Sequence, residues 1–328
     1  MWHNSFGSKF KIEIWGASHT PEMGVRIGGV PQGIALSAAD FESDISRRRA
    51  SARGTTARHE KDIPTIVSGV MDGVTTGEIV EIVFHNGDTR SSDYSQFEQH
   101  PRPSHVDFVA RAKYGDAVDL RGSGQFSGRM TLLLVAAGVV AKKIVGGVDY
   151  RTTIVEIGGS RNEAEFSTIV ESALRDGDSV GGVVECCAKC VRVGLGEPFF
   201  DSAESIISHL IFSVPAVKGV EFGSGFEGVK LRGSERNDRF VDGEGHTASN
   251  NEGGINGGIT NGNDLVVRVA IKPTPTISRE QMTYNKSLGE VAPLVAKGRH
   301  DACIVLRAAV VVESVVAIAL AELSLQNQ

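Results

Sequence analysis

Five arginines, Arg47, Arg48, Arg49, Arg53 and Arg58, fall within twelve residues of a chain whose 34 Lys+Arg are outnumbered by 40 Asp+Glu. Guanidinium forks keep their charge and grip phosphate or carboxylate bidentately, so such a cluster in an acidic protein points to a small anionic ligand. Taken alone, a charge run reads as a solvated helix end. Arg102, Arg121, Arg129 and Arg299, each in a polar context, favour the ligand reading, since several convergent arginines suit a ligand with several negative groups. His19 follows Gly16, Ala17 and Ser18; His105 sits one residue past Ser104; His300 stands between Arg299 and Asp301. Imidazole titrates near ~6.5 and can give or take a proton at neutral pH, although single histidines more often act as caps or core donors. No HExxH or other regular metal-ligand spacing is present, which favours acid–base work over metal binding.

Glycine supplies 39 of the 328 residues, well above the usual ~7%, as tight turns and close backbone approaches to a ligand require. The run Gly122-Ser123-Gly124-Gln125-Phe126-Ser127-Gly128 has Ser127 where a dinucleotide fingerprint needs its third glycine. It leads into an apolar stretch, so its N–H groups could cradle a phosphate at a helix N-terminus. A second glycine loop spans 253–258. For both, plain turn chemistry is an equal alternative.

The elements that must position these residues follow from periodicity. Alternation over 10–15 predicts a strand ending at Gly16, which puts Ser18 and His19 on a turn. A helix is expected over 37–49, capped by Ser37 with Asp40 three residues on, and tight-turned strands over 65–84. Ser104, with Asp107 three residues later and Gly115 as a stop, predicts a second capped helix. An all-round apolar helix is expected over 129–145 and amphipathic helices over 163–176 and 202–212. Strands are expected over 180–193, 217–222 and 265–271, a polar loop over 241–262, and an apolar final helix over 308–323. Irregular interleaving without βαβ spacing implies an α+β fold, one domain over 1–328.

The net charge of −6 argues against nucleic acid or anionic membrane as partner. The longest uninterrupted apolar run, 132–141, is half of the ~20 residues a membrane span needs. Residues 1–11 lack an apolar h-region, so no signal peptide is expected. Cys186, Cys187, Cys190 and Cys303 lack the further ligands of a zinc site and read as thiols in a reducing, cytoplasmic compartment.

In order along the chain, these segments resemble the chorismate synthase family. The resemblance rests on Gly16-Ala17-Ser18-His19, Arg47-Arg48-Arg49, Arg102-Pro103-Ser104-His105, Lys113-Tyr114-Gly115, Arg121-Gly122 and Val135-Ala136-Ala137-Gly138. It continues through Gly194-Leu195-Gly196-Glu197-Pro198, Val217-Lys218-Gly219-Val220-Glu221, 253–262, Lys272-Pro273-Thr274 and Gly298-Arg299-His300-Asp301, and is weakest over 149–180. It implies helices sandwiched between two antiparallel sheets, a homotetramer, and an anti-1,4-elimination of phosphate from 5-enolpyruvylshikimate 3-phosphate to give chorismate. Reduced FMN is implied as cofactor, with NADPH as a candidate reductant and no metal.

By the same resemblance His19 protonates the departing phosphate, His105 protonates or stabilises the anionic reduced flavin, and Asp301 acts through Ser18. Flavin-binding positions are Gln125, Phe126, Ser127, Pro215, Ala216, Gly257, Lys272, Pro273, Thr274, Pro275, Thr276 and Arg299. Arg48, Arg53 and Arg129 fall to substrate or NADP. Ala17 stands for a glutamate, Thr20 for a glycine, Gln125 and Phe126 for Arg and Ser, and Ala302 for a proline. The alternatives are a flavin reductase with net hydride transfer and a non-catalytic anion- or RNA-binding protein.

Overall fold

The computed structural model describes residues 4–49, 52–56, 58, 60–88, 96–296 and 300–327. The first sheet is antiparallel throughout, in the order β1 (Ser5–Phe6), β2 (Lys11–Gly16), β3 (Glu22–Gly28), β7 (Val80–His85), β4 (Thr65–Ser68). Between β4 and β7 runs a small hairpin of β5 (Val70–Met71) and β6 (Val74–Thr75). The second sheet is also antiparallel, in the order β10 (Val217–Phe222), β13 (Leu265–Ile271), β9 (Gly182–Lys189), β8 (Asp149–Ile157). Two further hairpins pair β11 (Ile255–Asn256) with β12 (Ile259–Thr260) and β14 (Gln281–Asn285) with β15 (Glu290–Leu294).

The helices are α1 (Glu42–Arg48), α2 (Asp107–Tyr114), α3 (Thr131–Val145), α4 (Glu163–Arg175), α5 (Ala203–Ser213), the single turns α6 (Gly225–Gly228) and α7 (Gly233–Arg236), and α8 (Val305–Gln326). α3 and α8 pack on each other at the centre, with α3 facing β3 of the first sheet and α8 facing β8 and β9 of the second. This is the expected sandwich. Residues 131–141 of α3 are all buried, which explains an apolar pattern with no polar face. At Gly138 a Cβ would stand 2.4 Å from the Ser314 Cβ, so glycine is what lets the two helices touch. α8 is long and apolar enough to cross a membrane, but 89% of the relevant window is buried inside the protein.

Two carboxylates on α8 tie this centre to its surroundings. Glu313 accepts from Arg47, Lys142 and Thr152, at 2.6 to 2.9 Å. Glu322 accepts from the backbone N–H groups of Ser8, Lys9 and Phe10, anchoring the loop before β2. Burial would raise either carboxyl, but these hydrogen bonds outweigh it and hold both below the usual carboxylate range.

Ser37 opens its helix in a reciprocal capping box with Asp40, first as a 3-10 turn and then as α1. Ser104 does not cap. It holds a left-handed φ of 57°, α2 begins at Asp107 without a side-chain cap, and the Asp107 carboxylate is engaged by Arg102 and His105 instead. Sequence alone did not single out β3, β8 or the β14–β15 hairpin. Glycines at 24 and 28 mask the inward alternation of Met23, Val25 and Ile27, and the hairpin buries too little to imprint a pattern.

Candidate active site

A cavity of about 450 Å³ opens where the β2–β3 turn, the end of α1, the 122–129 loop, the segment after β13 and the start of α8 meet. Its size is that of a small-molecule site. Arg48, Arg49, Arg58, Arg102, Arg129, Lys272 and Arg307 line it, against the carboxylates of Glu60, Asp62 and Asp301. Phe126, Val214, Pro215, Ala216, Ile271, Ile304 and Val311 give it apolar walls.

On one side the polar groups are fully engaged. Buried Arg102 donates through Nε and Nη2 to both Asp107 oxygens, at 2.7 and 2.6 Å, and through Nη1 to Thr276 Oγ1 at 3.1 Å. Its guanidinium lies 4.1 Å over the Phe97 ring. His105 Nδ1 is 2.7 Å from Asp107 Oδ1, and Ser123 Oγ is 3.1 Å from His105 Nε2. Burial would raise Asp107, but the hydrogen bonds from Arg102 and His105 hold it well below the usual range. Burial, helped by the Arg102 cation, pushes His105 below its ordinary value against the pull of Asp107, so its resting form is neutral at pH 7.

On the other side cations outnumber their partners. Arg48 is 2% exposed at the buried end of α1. It donates through Nε to Thr131 Oγ1 at 3.0 Å and through Nη2 to the carbonyls of Gly128 and Arg129 at 2.8 and 3.1 Å. Arg129 donates to Asp62 and, at 3.0 Å, to Asn86 Oδ1. Asp62 is shared, its other oxygen lying 3.8 Å from Arg48 Nη1. Among the described residues, Arg48 Nη1, Arg129 Nη2 and Thr274 Oγ1 are buried with no hydrogen-bond partner. Burial and the neighbouring Arg307 and Arg129 cations push Arg48 down to about 9, so at neutral pH it is a cation short of negative charge. An anionic ligand would supply it.

The remaining wall carries Ser18 and Asp301. Asn86 Nδ2 donates to the carbonyls of Ala17 and Thr20, at 3.2 and 2.8 Å, and the Ala17 N–H donates to Thr20 Oγ1, fixing the turn that presents Ser18 and His19. Gly122 closes over this turn. A Cβ there would fall 2.2 Å from His19 Cε1 and 2.8 Å from Ser18 Oγ, so no larger residue fits. Arg58 donates to Ser18 Oγ at 2.8 Å and to Glu60 Oε1 at 2.7 Å. Asp301 accepts from the Thr56 N–H at 2.9 Å and from Arg307 Nη1 at 3.2 Å, and Arg307 Nε donates to the Arg48 carbonyl at 3.0 Å. Among the described residues no hydrogen bond joins Ser18 to Asp301.

The profile of the chorismate synthase family matches residues 10–325. The chain belongs to the chorismate synthase family. A chorismate synthase of Chitinophaga pinensis is 51% identical over 326 residues, spanning 99% of this chain and 97% of its own length. One of Korarchaeum cryptofilum is 41% identical over 346 residues, spanning 97% of this chain and 96% of its own. A solved structure described as the crystal structure of chorismate synthase superposes with a TM-score of 0.75 at 26% identity, covering 98% of this chain and 93% of that one. Formation of chorismate in the shikimate pathway is accordingly the function of this protein.

Of the residues that the chorismate synthase resemblance singles out, Ser18, His105, Asp301, Arg48, Arg129, Phe126, Ser127, Pro215, Ala216, Lys272, Thr274, Pro275 and Thr276 line the one cavity. His19 lies just behind it, against Gly122. Arg53 does not reach the cavity; its side chain is 74% exposed and pairs with Glu171 of α4 at 3.3 Å. Gln125 faces Asn4 on an exposed surface, Gly257 sits at the β11–β12 turn, and Pro273 is also outside the lining. Arg299 lies outside the described residues. Asp62, Glu60 and Arg307 were missed by sequence reasoning, being single residues in unremarkable surroundings. Arg58 and Arg102 belonged to the arginine pattern, but no spacing rule marked them as site residues.

Proposed function

We propose that this cavity carries out the anti-1,4-elimination of phosphate from 5-enolpyruvylshikimate 3-phosphate, with reduced FMN bound beside the substrate. The observation that carries the reading is the pair of buried guanidinium nitrogens without hydrogen bonds on Arg48 and Arg129, lining the same cavity as His105, which is hydrogen-bonded to Asp107. The substrate bears carboxylates and a phosphate, and excess buried cations suit it. The elimination breaks the C–O bond to phosphate and a ring C–H bond, forms a second ring double bond, and releases phosphate and one proton.

The residues fit a flavin as well: Phe126, Pro215, Ala216 and Ile271 offer apolar faces to a flat ring, and Ser127, Lys272, Thr274 and Thr276 offer polar contacts. When bound, reduced flavin lends electron density to the departing bond without net oxidation. His19 protonates the leaving phosphate from behind Gly122. His105, tied to Asp107, holds or moves a proton at Nε2. Arg48 and Arg129 bind and orient anionic groups, while Arg307 and the Thr56 N–H fix Asp301 at the wall. Arg58 fixes Ser18, so a proton path from Asp301 through Ser18 requires the two to approach once ligands bind.

This reading includes a carbon–oxygen lyase working as a cytoplasmic homotetramer, with NADPH as a candidate reductant. The test is anaerobic turnover with and without chemically reduced FMN. Equal amounts of phosphate and chorismate, appearing only with reduced flavin and without stoichiometric use of reductant, are expected. Reductant consumption matched to product would replace the lyase reading with a reductase.

A further inference from the structure

Ser123 holds a left-handed backbone, φ 68°, between Gly122 and Gly124 with φ of 56° and 55°. Glycine adopts this conformation without the steric cost a Cβ imposes, so the turn itself gives no reason for a serine. The side chain has another task. Its Oγ lies 3.1 Å from His105 Nε2 on the cavity wall, while His105 Nδ1 is committed to Asp107 Oδ1 at 2.7 Å. Asp107 is itself gripped by both forks of Arg102 and stays ionised, so Nδ1 keeps its proton in either charge state. Nε2 is therefore the nitrogen at which His105 gains or loses a proton. A hydroxyl serves both forms, donating to bare Nε2 and accepting from Nε2–H.

We propose that Ser123 is a positioning residue for His105: its hydroxyl aims Nε2 and favours the imidazolium, whose hydrogen bond to Ser123 is the stronger of the two. This rests on the role proposed above for His105, but its physical core concerns the imidazole alone. The charged groups that face His105 are Asp107, which favours the cation, and Arg102 and Lys272, which oppose it together with burial. Ser123 adds to the side of Asp107, because hydrogen bonds to charged groups are roughly twice as strong as neutral ones.

The test is an NMR titration of the His105 ring nitrogens in the folded full-length protein, for wild type, Ser123→Ala and Ser123→Gly. Both variants should lower the His105 pKa by about half to one unit, the difference between a charged and a neutral hydrogen bond. The limb of the kcat profile that requires protonated His105 should move down by the same amount. Ser123→Gly removes the Cβ cost and should fold at least as stably as wild type, so a shift in that variant cannot be blamed on misfolding. An unchanged His105 titration in Ser123→Gly would overturn the proposal, as would a shift confined to Ser123→Ala. If His105→Ala turned over at the wild-type rate while the NMR shift persisted, the catalytic role of His105 would fall and the assignment of Ser123 would stand.

Discussion

Arg102 and Arg48 are both buried arginines on the wall of one cavity, yet they do different work. Arg102 spends its donors on Asp107 and Thr276 and stacks on Phe97. Arg48 keeps one nitrogen without a hydrogen bond, shares its nearest carboxylate with Arg129, and has a second cation, Arg307, beside it. A buried charge is tolerated when it is paired and costly when it is not. The paired region is a frame that sets the state of His105. The unpaired region is held at a cost that an anionic ligand offsets. Each side chain donates three hydrogen bonds; what separates them is that two of Arg102's go to the carboxylate of Asp107 while all of Arg48's go to neutral oxygens.

The largest effects should come from the proton carriers. His19→Ala and His105→Ala should each slow turnover by about 10²–10⁴ if each removes a general acid or base, measured as phosphate release at saturating reduced flavin. Next is the frame itself. Asp107→Ala leaves Arg102 buried without its carboxylate, and loss of one member of such a pair costs about 3–5 kcal/mol. Denaturant unfolding should show that loss, whereas an unaffected midpoint would mean the frame is not holding.

How much of this was legible in the sequence depended on locality. His105, Ser18 and Arg129 sit in short runs whose residue types announce chemistry, and the fold brings them to one cavity. Arg48 and Arg53 look equivalent in the chain, but Arg48 is the last buried residue of α1 and Arg53 lies beyond the helix against α4. Nothing within twelve residues distinguishes them. Asp107 matched a capping pattern, yet Arg102 and His105, five and two residues before it, take its carboxylate in place of the helix terminus. Arg307 was unreadable because its meaning comes from Asp301 and the Arg48 carbonyl, the latter on a distant segment. The central helices were plain because a stretch buried on every side has no polar positions to obscure it.

A smaller effect reads the paired region through pH. Asp107 has a folded pKa below its unfolded value, so its stabilisation is complete above pH ~4 and is lost as pH falls toward the folded value. His105 is lowered as well. Between its folded pKa and ~6.5 the unfolded chain binds more protons, so stability rises with pH up to ~6.5 and levels off above it. Stability measured against pH should lose the rise that ends at ~6.5 in His105→Ala and keep the acid limb.

The most direct test of the comparison is calorimetric titration of 5-enolpyruvylshikimate 3-phosphate into wild type, Arg48→Lys and Arg53→Lys, each with its fold verified by circular dichroism. A lysine at 48 cannot keep the contacts to the 128–131 segment and also present a second donor to an anion. Affinity should therefore fall by roughly tenfold or more in Arg48→Lys, the worth of one charge-assisted hydrogen bond, and stay within about twofold in Arg53→Lys, whose exposed ion pair contributes little. Undiminished affinity in Arg48→Lys, or a loss confined to Arg53→Lys, would contradict the account.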